Sequence, residues 1–438
     1  MTGRAGSARS SELAVELKEL QRDTLGYFLH EANPGNGLVR DNTRYGAPSS
    51  IAAVGLGLAC YAVAVEHGFL TREEAAERVL VTLKFFAESP QGTESDSAGY
   101  RGFFYHFLDF RTGRRAHRCE ISTMDTAVLM AGALTAAQYF DRSNREEAAI
   151  RRLADSLYRK VDWAWALNGG LALGHGWTPE GGFLPYRWEG YNEALILYAL
   201  ALGSPTHPLP VESYAAWTAT YAWRKVYGIE YLYGGPLFLH QLSHVWIDFR
   251  GIRDEFMRQK GIDYFENSRR ATLVQQRYAE HNPRGFRGYS SRIWGITASD
   301  GPGPAVRKIG GRVRRFFDYC ARGVPAGPDD GTLSPWAVVA SLPFAPDLVL
   351  PTIASVLERY PDMRTHYGFL CSFNPTFAAS GGGRKGWISR GYYGLDQGPV
   401  VLMIENFATA MIWNLIRRCR PIVDGLRRAG FTGGWLDG

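Results

Sequence analysis

Apolar residues recur at helical spacing along most of the chain. A leucine-rich pattern over residues 12–31 predicts an amphipathic helix. Residues 51–67 are apolar nearly all round, which is typical of a helix buried inside a large protein. Thr71 and Glu74 have the spacing of a capping box, which predicts that a third helix begins there and runs to about residue 88.

The same order, an apolar helix followed by a polar loop rich in acids and aromatic residues, continues to the C-terminus. A short hairpin strand is predicted over residues 101–109, but sustained β alternation is rare. The further predicted helices span residues 127–140, 144–166 (opened by a second capping box, Ser143 with Glu146), 212–226, 237–247, 264–279, 335–342, 346–360 and 399–418. This pattern indicates roughly a dozen helices, paired along the chain.

Paired helices that close on themselves predict an all-α fold, an (α/α)6 toroid whose long loops form a cleft on one face. The chain is long enough for six inner and six outer helices, and no Pro/Ser-rich linker divides it. We therefore expect a single domain over residues 12–420. Residues 1–11 are expected to be disordered or extended, and residues 421–438 to form a C-terminal tail.

Composition agrees with a globular protein that has a large core. The 438 residues are 45% hydrophobic and 21% charged, with a net charge of +6. The C-terminal arginines are best explained as a solvated helix face, because no nucleic-acid-binding motif accompanies them. No apolar stretch is long enough to span a membrane.

The five cysteines are scattered and no CxxC motif occurs, which favours a reducing compartment over a disulfide framework. The N-terminus shows no apolar signal segment. These features predict a cytoplasmic location, or a periplasmic one if a presequence has been removed. They say nothing about the oligomeric state.

The stretch from Tyr186 to Glu193 has the strongest chemical character. Glu189 and Glu193 are four residues apart and would share one face of a helix, with Tyr186, Trp188 and Tyr191 around them. Acids acting at a glycosidic oxygen, beside rings that stack on sugar faces, would suit this pattern. Alternatively, Glu189 only complements the dipole at a helix start.

Further acids lie in the loops, in contexts rich in glycine or aromatic residues. Glycoside hydrolysis needs two carboxyl groups flanking the scissile bond, and the loops supply several candidates. The acids are Glu120, Asp125, Glu189, Glu193, Asp248, Asp300, Asp329, Asp330, Asp396 and Glu405. Candidate stacking platforms are Trp177, Tyr186, Trp188, Tyr191, Trp246, Trp294, Trp387 and Tyr392, several of which must belong to the core.

The predicted helix over residues 237–247 carries side chains that could bind a metal. His240, His244 and Asp248 are spaced i, i+4 and i+8, but the HExxH arrangement is absent because residue 241 is Gln. Hydrogen bonds from these histidines to sugar hydroxyls or to neighbouring groups are favoured, so we expect neither a metal nor a cofactor. Arg250 beside Asp248 indicates either an ion pair that holds a loop or a contact to substrate hydroxyls.

The glycine-rich, basic segment 381–386 does not match a P-loop. It is predicted to be a mobile loop at the rim of the cleft.

Six motifs resemble the glycoamylase-like domain of bacterial β-1,2-glucanases, which also forms the central, chain-transferring part of cyclic β-1,2-glucan synthases. The similarity extends from about residue 12 to 416. The motifs are Glu120-Ile-Ser-Thr-Met-Asp-Thr-Ala127, Trp188-Glu-Gly-Tyr-Asn-Glu193, Gly235-Pro-Leu-Phe-Leu-His-Gln-Leu-Ser-His244, Asp263-Tyr-Phe-Glu-Asn-Ser268, Trp294-Gly-Ile-Thr-Ala-Ser-Asp-Gly-Pro302 and Gly394-Leu-Asp-Gln-Gly-Pro399.

The resemblance implies an (α/α)6 toroid that acts on β-1,2-glucan without an obligatory cofactor; the family name does not imply starch as the substrate. It implies that Glu189 is the general acid and that Glu120 is a base or nucleophile. Asp125 would shape the site of Glu120, and Asp396 is a rival for the base. Since related families with this fold include inverting and retaining enzymes, the role of the second carboxylate stays open.

We therefore expect a glycoside hydrolase acting on β-1,2-glucan, that is, on sophoro-oligosaccharides. The alternatives are a retaining β-1,2-glucan transglycosylase on the same fold and a non-catalytic glucan-binding protein. The expected substrate-binding residues are Tyr186, Trp188, Tyr191, Glu193, His240, His244, Trp246, Asp248, Arg250, Trp294, Asp300, Trp387 and Tyr392.

Overall fold

A computed structural model describes residues 2–94, 96–377 and 386–437, with side chains from residue 15 onward. The α-helices are α1 (Thr2–His30), α2 (Ile51–Glu66), α3 (Arg72–Glu88), α4 (Thr123–Tyr139), α5 (Arg145–Lys160), α6 (Leu195–Leu202), α7 (Glu212–Thr218), α8 (Glu255–Lys260), α9 (Tyr264–His281), α10 (Pro335–Val339), α11 (Pro346–Arg359), α12 (Gly394–Ala408), α13 (Met411–Ile416) and α14 (Arg420–Arg428). Short 3-10 helices occur at Trp165–Leu167, Leu237–His240, Leu242–Val245, Pro361–Met363 and Gly434–Leu436.

The strands are short and pair in small antiparallel sheets within the loops. They are β1 (Ser49–Ser50), β2 (Gly99–Tyr100), β3 (Phe103–Phe104), β4 (Phe107–Leu108), β5 (Ile121–Ser122), β6 (Gly176–Thr178), β7 (Gly182–Phe183), β8 (Trp223–Val226), β9 (Ile229–Leu232), β10 (Ala298–Ser299), β11 (Ala305–Ile309), β12 (Arg312–Phe316), β13 (Cys320–Ala321), β14 (Arg364–Thr365), β15 (Gly368–Phe369), β16 (Phe373–Asn374) and β17 (Trp387–Ile388). The only three-stranded sheet in the described ranges is β5-β6-β7.

The helices form two concentric rings. The inner ring contains α2, α4, α6, the 3-10 helices Leu237–His240 and Leu242–Val245, α10 and α12. The residues of α2, α4 and α6 are buried nearly all round. The outer helices α1, α3, α5, α14, α9 and α11 pack against this ring from outside. This all-α arrangement confirms the predicted (α/α)6 toroid.

Two glycines allow the inner helices α2 and α4 to touch. A Cβ atom at Gly132 would lie 1.9 Å from the carbonyl oxygen of Gly55, and one at Gly55 would lie 2.3 Å from the carbonyl oxygen of Val128. Any side chain here would force the helices apart. The close contact brings the N-terminal ends of both helices to the same face of the toroid.

The structure corrects both predicted termini. Helix α1 begins at Thr2, so residues 2–11 are helical rather than extended. Residues 421–428 belong to α14, which packs on α6, and Arg428 Nη1 donates a 2.9 Å hydrogen bond to the carbonyl oxygen of Leu202. The C-terminal segment is thus part of the toroid rather than a tail.

Several internal boundaries also differ from the prediction. The capping box at Thr71 is confirmed, but α5 is capped by the Asn144 side chain, which accepts from the backbone N–H of Glu147. The helix predicted over 212–226 ends at Thr218, because residues 223–232 form the hairpin β8-β9, whose turn has positive φ at Tyr227 and Gly228.

The last predicted helix begins earlier than expected, at Gly394. Pro399 is accommodated inside it, where the missing N–H removes one hydrogen bond, and the helix stops at Ala408 before α13 begins.

Most of the glycine-rich segment predicted over 381–386 lies outside the described residues. No helix among the described residues is long and apolar enough to cross a membrane. All five cysteines are free thiols.

Candidate active site

A cavity of about 670 Å³, called here the central cavity, lies where the N-terminal ends of the inner helices converge. Ser50 caps α2, Asp125 is in the first turn of α4, Glu193 precedes the N-cap residue of α6 and Asp396 is in the first turn of α12. All four line the cavity. Helix N-termini stabilise negative charge through their free N–H groups and dipoles. The fold therefore favours carboxylates in this cavity.

Five carboxyl groups line it, and their surroundings differ. They are Asp41, Glu120, Asp125, Glu193 and Asp396. Neighbouring acids with different pKa values can divide the roles of proton donor and proton acceptor.

His106 lies between two of these acids. Its Nδ1 is 3.0 Å from Glu120 Oε1 and its Nε2 is 3.7 Å from Asp125 Oδ2. Burial alone would lower the pKa of His106, but the charges of Asp125, Glu120 and Asp41 raise it to about 9. The imidazole is therefore positively charged near neutral pH and holds both carboxylates in place.

Glu120 is kept ionised by this contact. Burial would raise the pKa of the Glu120 carboxyl, but the hydrogen bond and charge of His106, with a contribution from Arg115, hold it below its usual value. Asp125 accepts a short hydrogen bond from the Ser122 hydroxyl, which caps α4. These side chains form an anionic wall of the cavity.

Glu193 has the opposite character. Burial, with the nearby charge of Asp125, raises the pKa of Glu193 to about 7 despite a backbone hydrogen bond that lowers it. Its backbone is fixed because its carbonyl oxygen accepts a 2.8 Å hydrogen bond from the Ser243 hydroxyl. Near neutral pH a substantial fraction of Glu193 is protonated, as a general acid requires.

Asp396 is almost completely buried, with 1% of its surface exposed. Burial and the charges of Asp41 and Asp300 raise its pKa well above the usual value, although the Cys371 thiol opposes the shift. Its Oδ2 has no hydrogen-bond partner among the described residues. Burial likewise raises the pKa of Asp41, whose carboxylate accepts a 2.7 Å hydrogen bond from Asn42.

Rings and apolar side chains complete the cavity wall. Trp188 stacks on His175 with ring centroids 3.9 Å apart, and its indole N–H donates to Thr123 at 2.9 Å. Burial lowers the pKa of His175, which keeps this imidazole neutral near neutral pH. The other aromatic lining residues are Phe107, Phe238, Tyr319, Trp336 and Tyr393. Flat rings beside carboxyl groups suit a sugar chain.

The stretch from Tyr186 to Glu193 is a loop, so the predicted shared helix face for Glu189 and Glu193 is wrong. Gly190 has a φ of +73°, and its N–H donates to the carbonyl oxygen of Trp217, which turns the chain between the two acids. Glu193 enters the cavity, whereas Glu189 is exposed and lies outside its lining. Tyr186 is also exposed, at 66%.

The helix predicted over residues 237–247 is two 3-10 turns, so the regular i, i+4, i+8 face does not form. His240 and His244 are buried, and burial lowers their pKa values to about 4 and about 3. His240 Nε2 contacts the carbonyl oxygen of Gly234 at 3.1 Å and His244 Nε2 contacts the Ser268 hydroxyl at 3.0 Å. Both are packed into the protein interior and lie outside the cavity lining.

Asp248 pairs with Arg250 at 2.8 Å and also with Arg417, which is the loop-holding ion pair that the sequence allowed. Among the residues that the structure describes, no group of three His, Cys, Asp or Glu side chains could hold a metal ion.

The remaining predicted contacts are dispersed. Trp246, Trp294 and Tyr392 are buried in the core, and Trp387 lies in β17. Tyr191 packs on Tyr264 with centroids 5.9 Å apart. Asp300 is bonded to Arg44 at 2.7 Å and to the Ser389 hydroxyl at 2.7 Å. None of these six side chains lines the central cavity.

Sequence reasoning missed several lining residues, above all Asp41, His106, His175, Tyr319 and Tyr393. His106 lies in the segment predicted to be a hairpin strand, and no motif marks Asp41. Their positions in the chain were the available signal. Asp41 lies in the loop before α2, and His106 lies in the loop between α3 and α4, and both loops enter the same face of the toroid.

A buried ion pair supports one side of the cavity. Arg322 and Asp330 are both fully buried, with Nε and Oδ1 2.8 Å apart, and Arg322 also donates to the carbonyl oxygen of Ser299 at 2.7 Å. These bonds hold the β10-β13 pair, of which Ala298 and Ala321 line the cavity.

Replacing Arg322 by alanine should lower the free energy of unfolding by about 3–5 kcal/mol, because it leaves the Asp330 carboxylate buried and unpaired. Chemical denaturation measures the loss. The exposed Arg292 is the matched control, and its alanine variant should change stability by less than about 0.5 kcal/mol. Equal stabilities for the two variants would contradict a supporting role for the ion pair.

Comparisons with known proteins agree with this architecture. A family model described as "Putative glucoamylase" matches residues 185–420, more than half of the chain. An exo β-1,2-glucooligosaccharide sophorohydrolase (non-reducing end) of Parabacteroides distasonis is 28% identical over 94% of this chain and 57% of its own length. The chain thus spans little more than half of that relative.

Two solved structures match nearly end to end. A "putative glucoamylase" of Bacteroides uniformis is 31% identical with a TM-score of 0.84, covering 96% of this chain and 97% of its own. An endo-β-1,2-glucanase of Chitinophaga pinensis, solved with sophorotriose and glucose, is 26% identical with a TM-score of 0.82, covering 96% and 99%. From the matched model and the 31% identity over almost the whole length, this chain belongs to the glycoamylase-like family.

Proposed function

We propose that this protein is a glycoside hydrolase that cleaves β-1,2-glucan. The observation that carries the proposal is one cavity in which Glu193 has a raised pKa while Glu120 is held ionised by His106. A protonated and an ionised carboxyl group are what glycosidic cleavage requires. The linkage is suggested by the two relatives that are named for action on β-1,2-glucans.

In this mechanism Glu193 replaces Glu189 as the general acid. It donates its proton to the departing glycosidic oxygen, directly or through a substrate hydroxyl. Glu120 accepts a proton from the water that attacks the anomeric carbon, and His106 keeps Glu120 ionised and oriented. Asp125, held by the Ser122 hydroxyl, adds negative charge that favours a positively charged transition state.

Asp396 is assigned to the substrate rather than to the water. Its raised pKa and its unpartnered Oδ2 fit a carboxylic acid that hydrogen-bonds a sugar hydroxyl. Trp188 and Tyr393 supply flat walls for sugar faces. The proposal needs no metal or cofactor, and its substrate partner is a neutral β-glucan.

A product analysis tests the proposal. The protein is incubated with linear β-1,2-glucan, with β-1,3- and β-1,4-glucans as controls, and products are sized while the anomeric proton is followed by NMR. We expect short oligosaccharides from the β-1,2-glucan alone. Longer or cyclic products would show that the protein is a transglycosylase rather than a hydrolase. Glucan binding without any product would favour a non-catalytic role.

We also keep the sequence-based prediction of a cytoplasmic, single-domain protein as part of this proposal. The five free thiols fit a reducing compartment. Cell fractionation followed by immunoblotting would test the location, and recovery of the protein in a periplasmic extract would contradict it.

A further inference from the structure

A second concave surface lies beside the central cavity. This surface, called here the rim groove, has a volume of about 610 Å³. One side is formed by Arg40 and residues 43–48, and the other by residues 109–111, 116 and 117.

The rim groove and the central cavity are lined by adjacent residues of the same two chain segments. Asp41 and Ser50 line the cavity, whereas the residues between them, 43–48, line the groove. Phe107 lines the cavity and Asp109 the groove. Strands β1 and β4 pair at this boundary, so the cavity and the groove adjoin the same strand pair.

Arg44 belongs to the wall between them. It lines the groove, its guanidinium reaches Asp300 at 2.7 Å, and it lies 5.9 Å from the ring centroid of the cavity residue Tyr393. Arg44 and Tyr393 thus connect the lining of the groove to that of the cavity.

The charges of the groove are largely offset within the protein. Arg40 lies 3.6 Å from Glu31 and stacks over the ring of Phe110 at 3.9 Å. The charge of Arg111 acts on Asp109, which also accepts hydrogen bonds from the backbone and hydroxyl of Thr112, and Arg44 is paired with Asp300. Abundant polar groups with little net charge suit a neutral, hydroxyl-rich ligand better than an anion.

An exposed aromatic ring stands at the edge of the groove. Tyr45 is fully exposed, in a turn closed by the 3.1 Å hydrogen bond from the Ala47 N–H to the carbonyl oxygen of Arg44. Gly46 has a φ of +73°, as the third position of a type II turn requires, which places Tyr45 at the apex. A ring exposed in this way gains most from stacking on a flat ligand.

We infer that the rim groove binds the glucosyl units of a long β-1,2-glucan that extend beyond the central cavity, with Tyr45 stacking on one of them. The inference rests on the proposed function and deepens it. The groove makes long chains better substrates than short ones, although cleavage itself takes place in the central cavity.

Two variants of the full chain test this inference. Tyr45→Ala removes the ring, and Ala116→Trp places a bulky side chain inside the groove. Both should lower kcat/KM on long β-1,2-glucan by about three- to tenfold, mainly through KM. Both should leave kcat/KM unchanged on the shortest oligosaccharide that the wild type cleaves.

The exposed Phe407, near the opposite end of α12 from Asp396, provides the matched control. Phe407→Ala should cleave both substrates as the wild type does. Equal losses on long and short substrates, or no loss on the long one, in both groove variants would overturn the inference while the proposed function stands. A wild-type protein that cleaves no β-1,2-glucan would overturn the proposed function and the inference together.

Discussion

Glu193→Gln should lower kcat on linear β-1,2-glucan by about 10²–10⁴-fold, because the amide cannot protonate the departing oxygen. The amide keeps the size of the side chain, and the backbone of Glu193 is held by Ser243, so the fold should not change. Initial rates of reducing-end release measure the effect, and thermal denaturation verifies the fold.

Glu189→Gln is the matched control four residues away. Since Glu189 is exposed and lies outside the central cavity, this variant should keep wild-type activity. A large loss of activity in Glu189→Gln with none in Glu193→Gln would assign the general acid to Glu189, as the sequence motif suggested.

The pH profile gives the same assignment a second readout. Glu193 must be protonated to act, so kcat/KM should fall as the pH rises through about 7. Glu120 must be ionised, so the acidic decline should begin only below its lowered pKa. His106, with a pKa of about 9, stays charged over this range and does not produce the decline near 7. Activity that is still rising between pH 7 and 9 would contradict Glu193 as the acid.

Helical periodicity predicted the toroid because its inner helices are so strongly apolar. The sequences of α2 and α6 leave no polar face, and a helix that is apolar all round must be buried between other helices. The prediction failed where tertiary contacts replaced helical hydrogen bonds. Residues 237–247 have an apolar helical pattern, yet Gln241 bonds to the carbonyl oxygen of Ala337 and the segment remains as 3-10 turns.

The sequence predicted which acids belong to the candidate site but not how they are arranged in space. Glu120, Asp125 and Asp396 do meet in one cavity, because each lies at the N-terminal end of an inner helix or just before it. Glu193 lines the cavity and Glu189 does not, and the turn between them has a positive φ at Gly190, which spacing along a helix cannot reveal.

His106 was missed for a related reason. It directly precedes β4, which pairs with β1, and the acids it contacts, Glu120 and Asp125, lie beyond helical spacing, so no local pattern marks it.

Glu120→Gln should lower kcat to a similar extent, about 10²–10⁴-fold, because the remaining amide cannot accept a proton from water. The loss should be restored in part by a small anion such as azide or formate, which fills the role of the missing carboxylate. His106 would lose the charge of Glu120 but keep Asp125 3.7 Å away, so the imidazole should stay in the cavity.

Asp396→Asn is the comparison that decides the identity of the base. If Asp396 only hydrogen-bonds the substrate, as its raised pKa suggests, an amide should replace it with a smaller loss, seen mainly in KM, and added anions should not restore the rate. The opposite pattern, in which azide rescues Asp396→Asn but not Glu120→Gln, would assign the base to Asp396. Glu120 would then be left with the role of holding His106 beside the substrate.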